Sequence, residues 1–237
     1  MKLFAPGRDE WLRLDEVDST QTVACEELSR QSSVGMVIAG RQSKGRGRFG
    51  REWLSESGTS LSMSMIVSGY PDHAAPYLIG MGLAIAAAGA IHTKIQWPND
   101  VVLHGRKVGG ILTEVVLDPN GHRVAIVGIG LNLNQSSFPS EIADRATSLK
   151  MEFGIVSEAG AVAEQILARV EALPEPSDWP ALADIWAVFD STPGKAYVLP
   201  SGEKAIAIGV GSSGELLCSV NGESRTVLAA DAILGRD

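Results

Sequence analysis

The stretch "GRGRFGREWLSESGTSLSMSM", Gly45 to Met65, decides how the chain folds. Gly45, Gly47 and Gly50 satisfy G-x-G-x-x-G, the spacing that opens a helix in dinucleotide-binding folds and sets its N-terminus against a pyrophosphate. No helix pattern follows here. "REWLSESGTS" is broken by serine and glycine, and "SLSMSM" alternates polar and apolar residues as a strand does. This argues against a parallel dinucleotide-binding sheet. A phosphate loop fails too, because Arg46 stands where that loop needs Lys followed by Ser or Thr. What remains is a run of arginines jointed by glycine, followed by a strand.

Working outward, "VDSTQTVACEELSRQ" reads as a helix starting near Asp18 or Ser19, with Asp18 and Gln21 as a capping pair, and "VGMVIAG" (Val34 to Gly40) as a strand. After the Ser60–Gly69 strand, the Ala- and Gly-rich run Tyr77 to Thr93 is too short to span a bilayer and reads as a buried helix. "TKIQW" is a strand stopped by Pro98. "VVLHGRKVGGILTEVVLD" is a hairpin turning at His104-Gly105, and "HRVAIVGIGLNLN" is a strand entered from Asn120-Gly121. Helices are expected around 157–173 and 178–189. From about Ser191 short alternating strands with turns at Ser213-Gly214 and Asn221-Gly222 suggest a small β-barrel. The expected class is α+β, a mixed or antiparallel sheet covered by helices, with a catalytic unit over 1–190 and a small β unit over 191–237.

The 237 residues carry a formal charge of −8 and 45% hydrophobic residues, enough for a real core. With a pI of about 5.1, nucleic acid is a poor general partner, whereas a local site for a small anion stays open. Cys25 and Cys218 match no metal or redox spacing and fit reduced thiols in a cytoplasmic setting. The N-terminus turns to charge too soon for a signal peptide, and no membrane partner is expected. The four histidines, His73, His92, His104 and His122, are scattered without ligand spacing.

Gly40 to Arg51 holds five basic residues and no acid. Such a run is either a solvated loop or an anion site. Arg46, Arg48 and Arg51 would repel one another when empty and close around carboxylate or phosphate oxygens. In "KVGGIL" a regular strand puts Lys107, Gly109 and Ile111 on one face, with Gly109 leaving a gap beside the lysine; a surface hairpin lysine is the alternative. In "VGIGLNLN" one face reads Gly128, Gly130, Asn132, a poor core but a good floor for a flat ligand. Ser60, Ser62 and Ser64 share a face in the same way, which partial exposure to water explains equally well.

Four segments in order, "DSTQ", "GRGRFGR", "WPND" with "GRKVGGIL", and "GIGLNLN", resemble the biotin–protein ligases. That resemblance implies a fold shared with lipoate ligases. It implies joining of biotin to ATP as biotinyl-adenylate, then transfer to a lysine of an apo biotin carboxyl carrier protein. It implies that Ser19, Thr20, Gln21, Gln42, Arg46 and Gly47 meet biotin, with Gln21 standing where the family usually has Asn. Arg48 and Lys107 would act catalytically at the biotin carboxylate, and Arg48, Arg51, Trp53, Asn99 and Asn132 would hold ATP. Asp100 would orient Mg²⁺ through water. Gln96 replaces a basic residue common in the family. Family members often pair as homodimers, and no room is expected before Asp18 for a DNA-binding segment. A lipoate or octanoate ligase and a non-catalytic biotin sensor are the competing readings.

Overall fold

The computed structural model describes residues 7–68, 76–175, 179–199 and 201–228. A seven-stranded sheet runs in the order β1-β2-β3-β7-β6-β5-β4. Its members are β1 (Glu10–Val17), β2 (Val34–Gln42), β3 (Ser60–Val67), β4 (Lys94–Gln96), β5 (Asp100–Leu103), β6 (Arg106–Leu117) and β7 (Arg123–Asn132). Only the β1–β2 pair is parallel, joined through helix α1 (Thr20–Ser29), so the sheet is mixed, as expected.

Strand alternation divides the sheet into two unequal faces. Met63, Met65, Val127, Ile129, Leu131 and Ile111 point into the larger apolar cluster, where α2 (Pro76–Ala90), α4 (Ala159–Glu171) and α5 (Trp179–Phe189) cover them. Every residue of α2 from Leu78 to Ala90 is buried, which is why its sequence shows no polar stripe. The opposite face is apolar only at one end, where Val37, Ile66, Val124 and Ile126 pack with Ala24 and Leu28 of α1. The other end carries Ser60, Ser62 and Ser64 on β3 and Gly128, Gly130 and Asn132 on β7. They lie in register: Ser60 opposite Asn132, Ser62 opposite Gly130, Ser64 opposite Gly128. Those serines are buried rather than half-exposed.

A short helix α3 (Leu149–Phe153) follows the sheet. The chain closes with an antiparallel four-stranded sheet, β11-β10-β9-β8, made of β8 (Ala196–Val198), β9 (Lys204–Val210), β10 (Leu216–Val220) and β11 (Glu223–Val227). Turns occur at Gly214 and at Asn221-Gly222, all at positive φ, as the tail pattern implied. Tyr197, Ala205, Ala207, Leu216 and Val220 join the same apolar cluster as α2. Trp97, fully buried, donates from its indole nitrogen to the Gly214 carbonyl (2.9 Å) and accepts at its own carbonyl from Tyr197 (2.8 Å). The Trp97–Pro98 peptide bond is cis.

The hairpin turn at His104-Gly105 has φ of 49° and 78°, the left-handed pair a two-residue turn requires. Three local expectations need correction. Asp18 does not cap α1. Its carboxylate accepts from Ser43 (2.8 Å) and Lys44 (2.9 Å), while the Thr20 amide is satisfied by Gln42 Oε1 at 2.8 Å. The charged segment Glu10–Val17, read only for its charge, is the edge strand β1. Helix α3 was not anticipated either. His73, Gly69 and Asp178 lie outside the described residues.

Candidate active site

The bare end of the sheet is the floor of a cleft of about 730 Å³. The residues that the resemblance assigned to biotin, ATP and Mg²⁺ all line it: Ser19, Thr20 and Gln21 from the start of α1, Gln42 from the end of β2, Arg46, Gly47, Arg48, Arg51 and Trp53 from the Gly-Arg loop, Asn99 from the turn before β5, Asp100 and Lys107 from β5 and β6, and Asn132 from β7.

The Gly-Arg run is closed as a tight hairpin, with Trp53 N donating to Gly45 O (2.9 Å) and Gly47 N to Arg51 O (2.7 Å). A Cβ on Gly45 would lie 2.4 Å from the Trp53 carbonyl oxygen, so only glycine fits this crossing. At the loop tip Phe49 has φ of 58°, a conformation that side chains disfavour. Arg48 covers the Phe49 ring at 4.9 Å and donates to Asn99 Oδ1 at 3.2 Å. Burial pushes the Arg48 guanidinium below its ordinary value. The charge of Asp100 opposes that shift and the charge of Arg51 adds to it. A guanidinium starts so high that Arg48 stays charged.

Lys107 donates to the Asp100 carboxylate, which is 3% exposed, and its ammonium lies 6.0 Å from the Trp53 ring centre. The gap beside this lysine belongs to Gly110, not Gly109. A Cβ on Gly110 would sit 3.1 Å from Lys107 Nζ, whereas one on Gly109 would strike Leu131 at 2.3 Å. The cause is a β-bulge. Val101 pairs with Gly109 and Val102 with Lys107, so Val108 is the extra residue, fully buried, and the alternation flips across it. The Lys107 backbone is pinned from outside the sheet: its amide donates to Arg145 O (2.8 Å) and its carbonyl accepts from Thr147 N (2.9 Å). Glu152, held by Thr147 (2.6 Å), His104 and Arg106, anchors that segment; the hydrogen bond from Thr147, followed by that of His104, lowers its carboxyl below the usual range. His104 and His122 each pair with a carboxylate, and no cluster of metal-ligating side chains occurs among the described residues.

The glycine floor is a matter of contact distance. The Trp53 indole lies so close over Gly130 that a Cβ there would be 2.5 Å from the ring, and Gln21 sits 3.3 Å from a Cβ on Gly128. The serine row supports the walls: Ser64 bonds Thr20 (2.8 Å), Ser62 bonds Ser55 (2.9 Å), and Ser60 accepts from Gln135 (2.8 Å). Ser19 Oγ, Gln21 Oε1 and Trp53 Nε1 are buried without a hydrogen-bond partner among the described residues, and all three belong to lining residues. Buried polar atoms of this kind are costly unless something satisfies them.

Sequence reasoning missed one wall, formed by Phe138, Pro139, Glu141, Ile142, Arg145 and Ala146. That segment has neither period 2 nor period 3.6, so no pattern marked it. Gln96 is buried, pairs in register with Asp100, and is not among the lining residues.

The Biotin/lipoate A/B protein ligase family matches residues 14–134. The bifunctional ligase/repressor BirA of Bacillus spizizenii is 33% identical over 236 residues, covering 93% of this chain and 73% of that one. The biotin–[acetyl-CoA-carboxylase] ligase of Mycobacterium tuberculosis is 30% identical, over 94% of this chain and 89% of that one. Among solved structures, the biotin protein ligase of Aquifex aeolicus in complex with biotin and ATP superposes with a TM-score of 0.76 at 28% identity, over 97% of this chain and 100% of that one. The matched span takes in the start of α1, the Gly-Arg loop, the bulged strand and the glycine floor, and on that ground the chain belongs to the Biotin/lipoate A/B protein ligase family.

Proposed function

We propose that the chain activates biotin with ATP, giving biotinyl-5′-adenylate and pyrophosphate, and transfers biotin to a lysine of an apo biotin carboxyl carrier protein. One observation carries this reading: a single cleft joins a neutral end with unpaired buried acceptors and donors to a cationic end. Gln21 meets the sheet at the level of Glu114 and Ile126, whereas Lys107 packs against Gly110. Four residues of β6 separate the two levels, roughly 13 Å. A neutral ureido head on a pentanoate tail presents its two chemistries in that order.

In the first step an oxygen of the biotin carboxylate attacks the α-phosphorus of ATP. An O–P bond forms, the bond to the β-phosphate bridge breaks, and pyrophosphate leaves. Two anions must approach, and negative charge grows on the α-phosphoryl oxygens. Lys107 and Arg48 are already fixed by Asp100 and Asn99, so their charges need little reorganisation when the reaction proceeds. Arg51 assists at the phosphates, Trp53 and Asn132 on the nucleotide side, and Ser19, Thr20, Gln21, Gln42, Arg46 and Gly47 around biotin. In the second step the acceptor lysine's amine attacks the acyl carbon and AMP leaves.

Magnesium would enter on the nucleotide. The cleft has one buried carboxylate, Asp100, and no multi-acid cage among the described residues, which suits a metal that binds chiefly phosphates and keeps its waters. Asp100 and Asn99 are the groups that would meet it, and its chemistry would be neutralisation of phosphate charge. In this reading the four-stranded sheet is a small C-terminal unit that shares the apolar cluster of α2, and the outer edge of β1, unpaired among the described residues, is the face on which a homodimer would pair. No helix among the described residues is long and apolar enough to cross a membrane.

Calorimetric titration with biotin, followed by a pyrophosphate assay with MgATP, tests the assignment. Biotin binds and drives release. Release driven by lipoate or octanoate instead would move the chain to the other branch of the family, and binding without release would make it a sensor. Because the loop arginines crowd one another, biotin should also slow proteolysis around Arg46; equal cleavage rates with and without biotin would contradict loop closure on the ligand.

A further inference from the structure

Glu114 belongs to no motif used above, yet it touches two residues of the cleft. Its carboxylate accepts from Gln21 Nε2 at 2.9 Å and from Arg46 at 3.3 Å. Gln21 is 3% exposed, so its amide has few ways to be satisfied. Besides Glu114, Nε2 donates to the Ile126 carbonyl at 3.3 Å. Both neighbours are pure acceptors, and they stand opposite each other across β6 and β7. An amide oxygen turned toward that pair would meet two oxygens, so chemistry fixes the orientation: nitrogen toward Glu114, oxygen away. The oxygen, Oε1, is then the buried atom without a partner among the described residues, beside the Gly128 floor.

We propose that Glu114 is a positioning residue for ring recognition: it locks the Gln21 amide so that this position offers only an acceptor to the ligand, and through Arg46 it ties the Gly-Arg loop to the same setting. The inference rests on the biotin reading above and adds to it. The ligand group facing Gln21 is a ring N–H, since a carbonyl placed there would face oxygen with oxygen and leave both unpaired. Glu114 does not touch the ligand. Its side chain is 40% exposed, so replacing it opens no core cavity.

The test is calorimetry on the full chain with biotin and with biotin methylated at one or the other ureido nitrogen, weak binding being read by competition. Glu114→Ala should weaken biotin by about tenfold or more, the worth of one hydrogen bond freed to misorient. Gln21→Ala should lose as much, and the double variant no more than either single one, because the two act as one unit. Glu114→Gln, which keeps an acceptor oxygen at the same reach, should stay within about threefold of the unsubstituted protein. For the compound methylated at the nitrogen that faces Gln21, Glu114→Ala should cause no further loss, while cleavage near Arg46 should quicken in that variant. An equal loss for biotin and both methylated compounds would mean general loosening and overturn the proposal, as would additive losses in the double variant or unchanged biotin affinity. Failure of the unsubstituted protein to bind biotin would overturn the proposed function itself, and this inference with it.

Discussion

Lys107→Ala is expected to slow biotin-dependent pyrophosphate release by more than about 100-fold at saturating biotin and ATP, as for removal of a fixed donor to developing charge. The lysine is held on three sides: by the bulge at Val108 that turns it toward the cleft, by the backbone bonds to Arg145 and Thr147, and by Asp100. A group so constrained contributes charge at a defined place, which matters most when two anions are forced together. Removing it also takes one cation from the Asp100 carboxylate, which is 2% exposed, so folding weakens along with activity. Lys107→Ala combined with Asp100→Asn separates the causes. The double variant removes the buried charge that Lys107 offset, and its urea midpoint should return toward that of the unsubstituted protein while release stays slow. Recovery of release in the double variant, or a single-variant loss below about threefold, would take Lys107 out of the chemistry.

Much of this site was legible because strands announce their faces. A glycine at every second position cannot build a core, so Gly128 and Gly130 pointed to a floor; Ser60, Ser62 and Ser64, which partial exposure to water explained equally well, are brought beside them by the register of β3 against β7. The phase error at "KVGGIL" has a different origin. A bulge is fixed by the count of residues in the partner strand, and nothing in the letters of β6 reveals that β5 supplies one residue fewer. Helix capping failed for a similar reason: Asp18 had a local role open to it, but Ser43 and Lys44, distant in sequence, compete for its carboxylate, and Gln42 takes the cap. Strand β1 hid behind its charge, because an edge strand needs only part of its surface buried. Glu114 escaped notice because it acts through Gln21 and Arg46, and a residue that works on other side chains leaves no spacing to read.

The other large effect is expected in stability. Trp97→Ala should lower the unfolding free energy by about 3–5 kcal/mol, the usual range for deleting a large buried aromatic side chain, read from the urea midpoint at unchanged slope. Trp97 is 0% exposed and lies in the apolar cluster shared by α2 and the four-stranded sheet. Its ring meets Tyr197 edge-on with centroids 6.1 Å apart, and its indole nitrogen holds the Gly214 carbonyl. Truncation removes the packing and takes the indole partner away from that carbonyl, two losses from one residue. Trp97→Phe separates them. It keeps most of the apolar volume, loses the indole donor, and should cost about 1–2 kcal/mol. The position couples fold to chemistry through the chain itself: Trp97 is followed, past Pro98, by Asn99 and Asp100, which fix Arg48 and Lys107. If the four-stranded sheet steadies the cationic end of the cleft by gripping Trp97, Trp97→Phe should raise the KM for ATP more than that for biotin, whose proposed ring subsite is built on α1 and β7. An equal rise in both, or a Trp97→Ala variant within about 1 kcal/mol of the unsubstituted protein, would show that the sheet stands apart from the site.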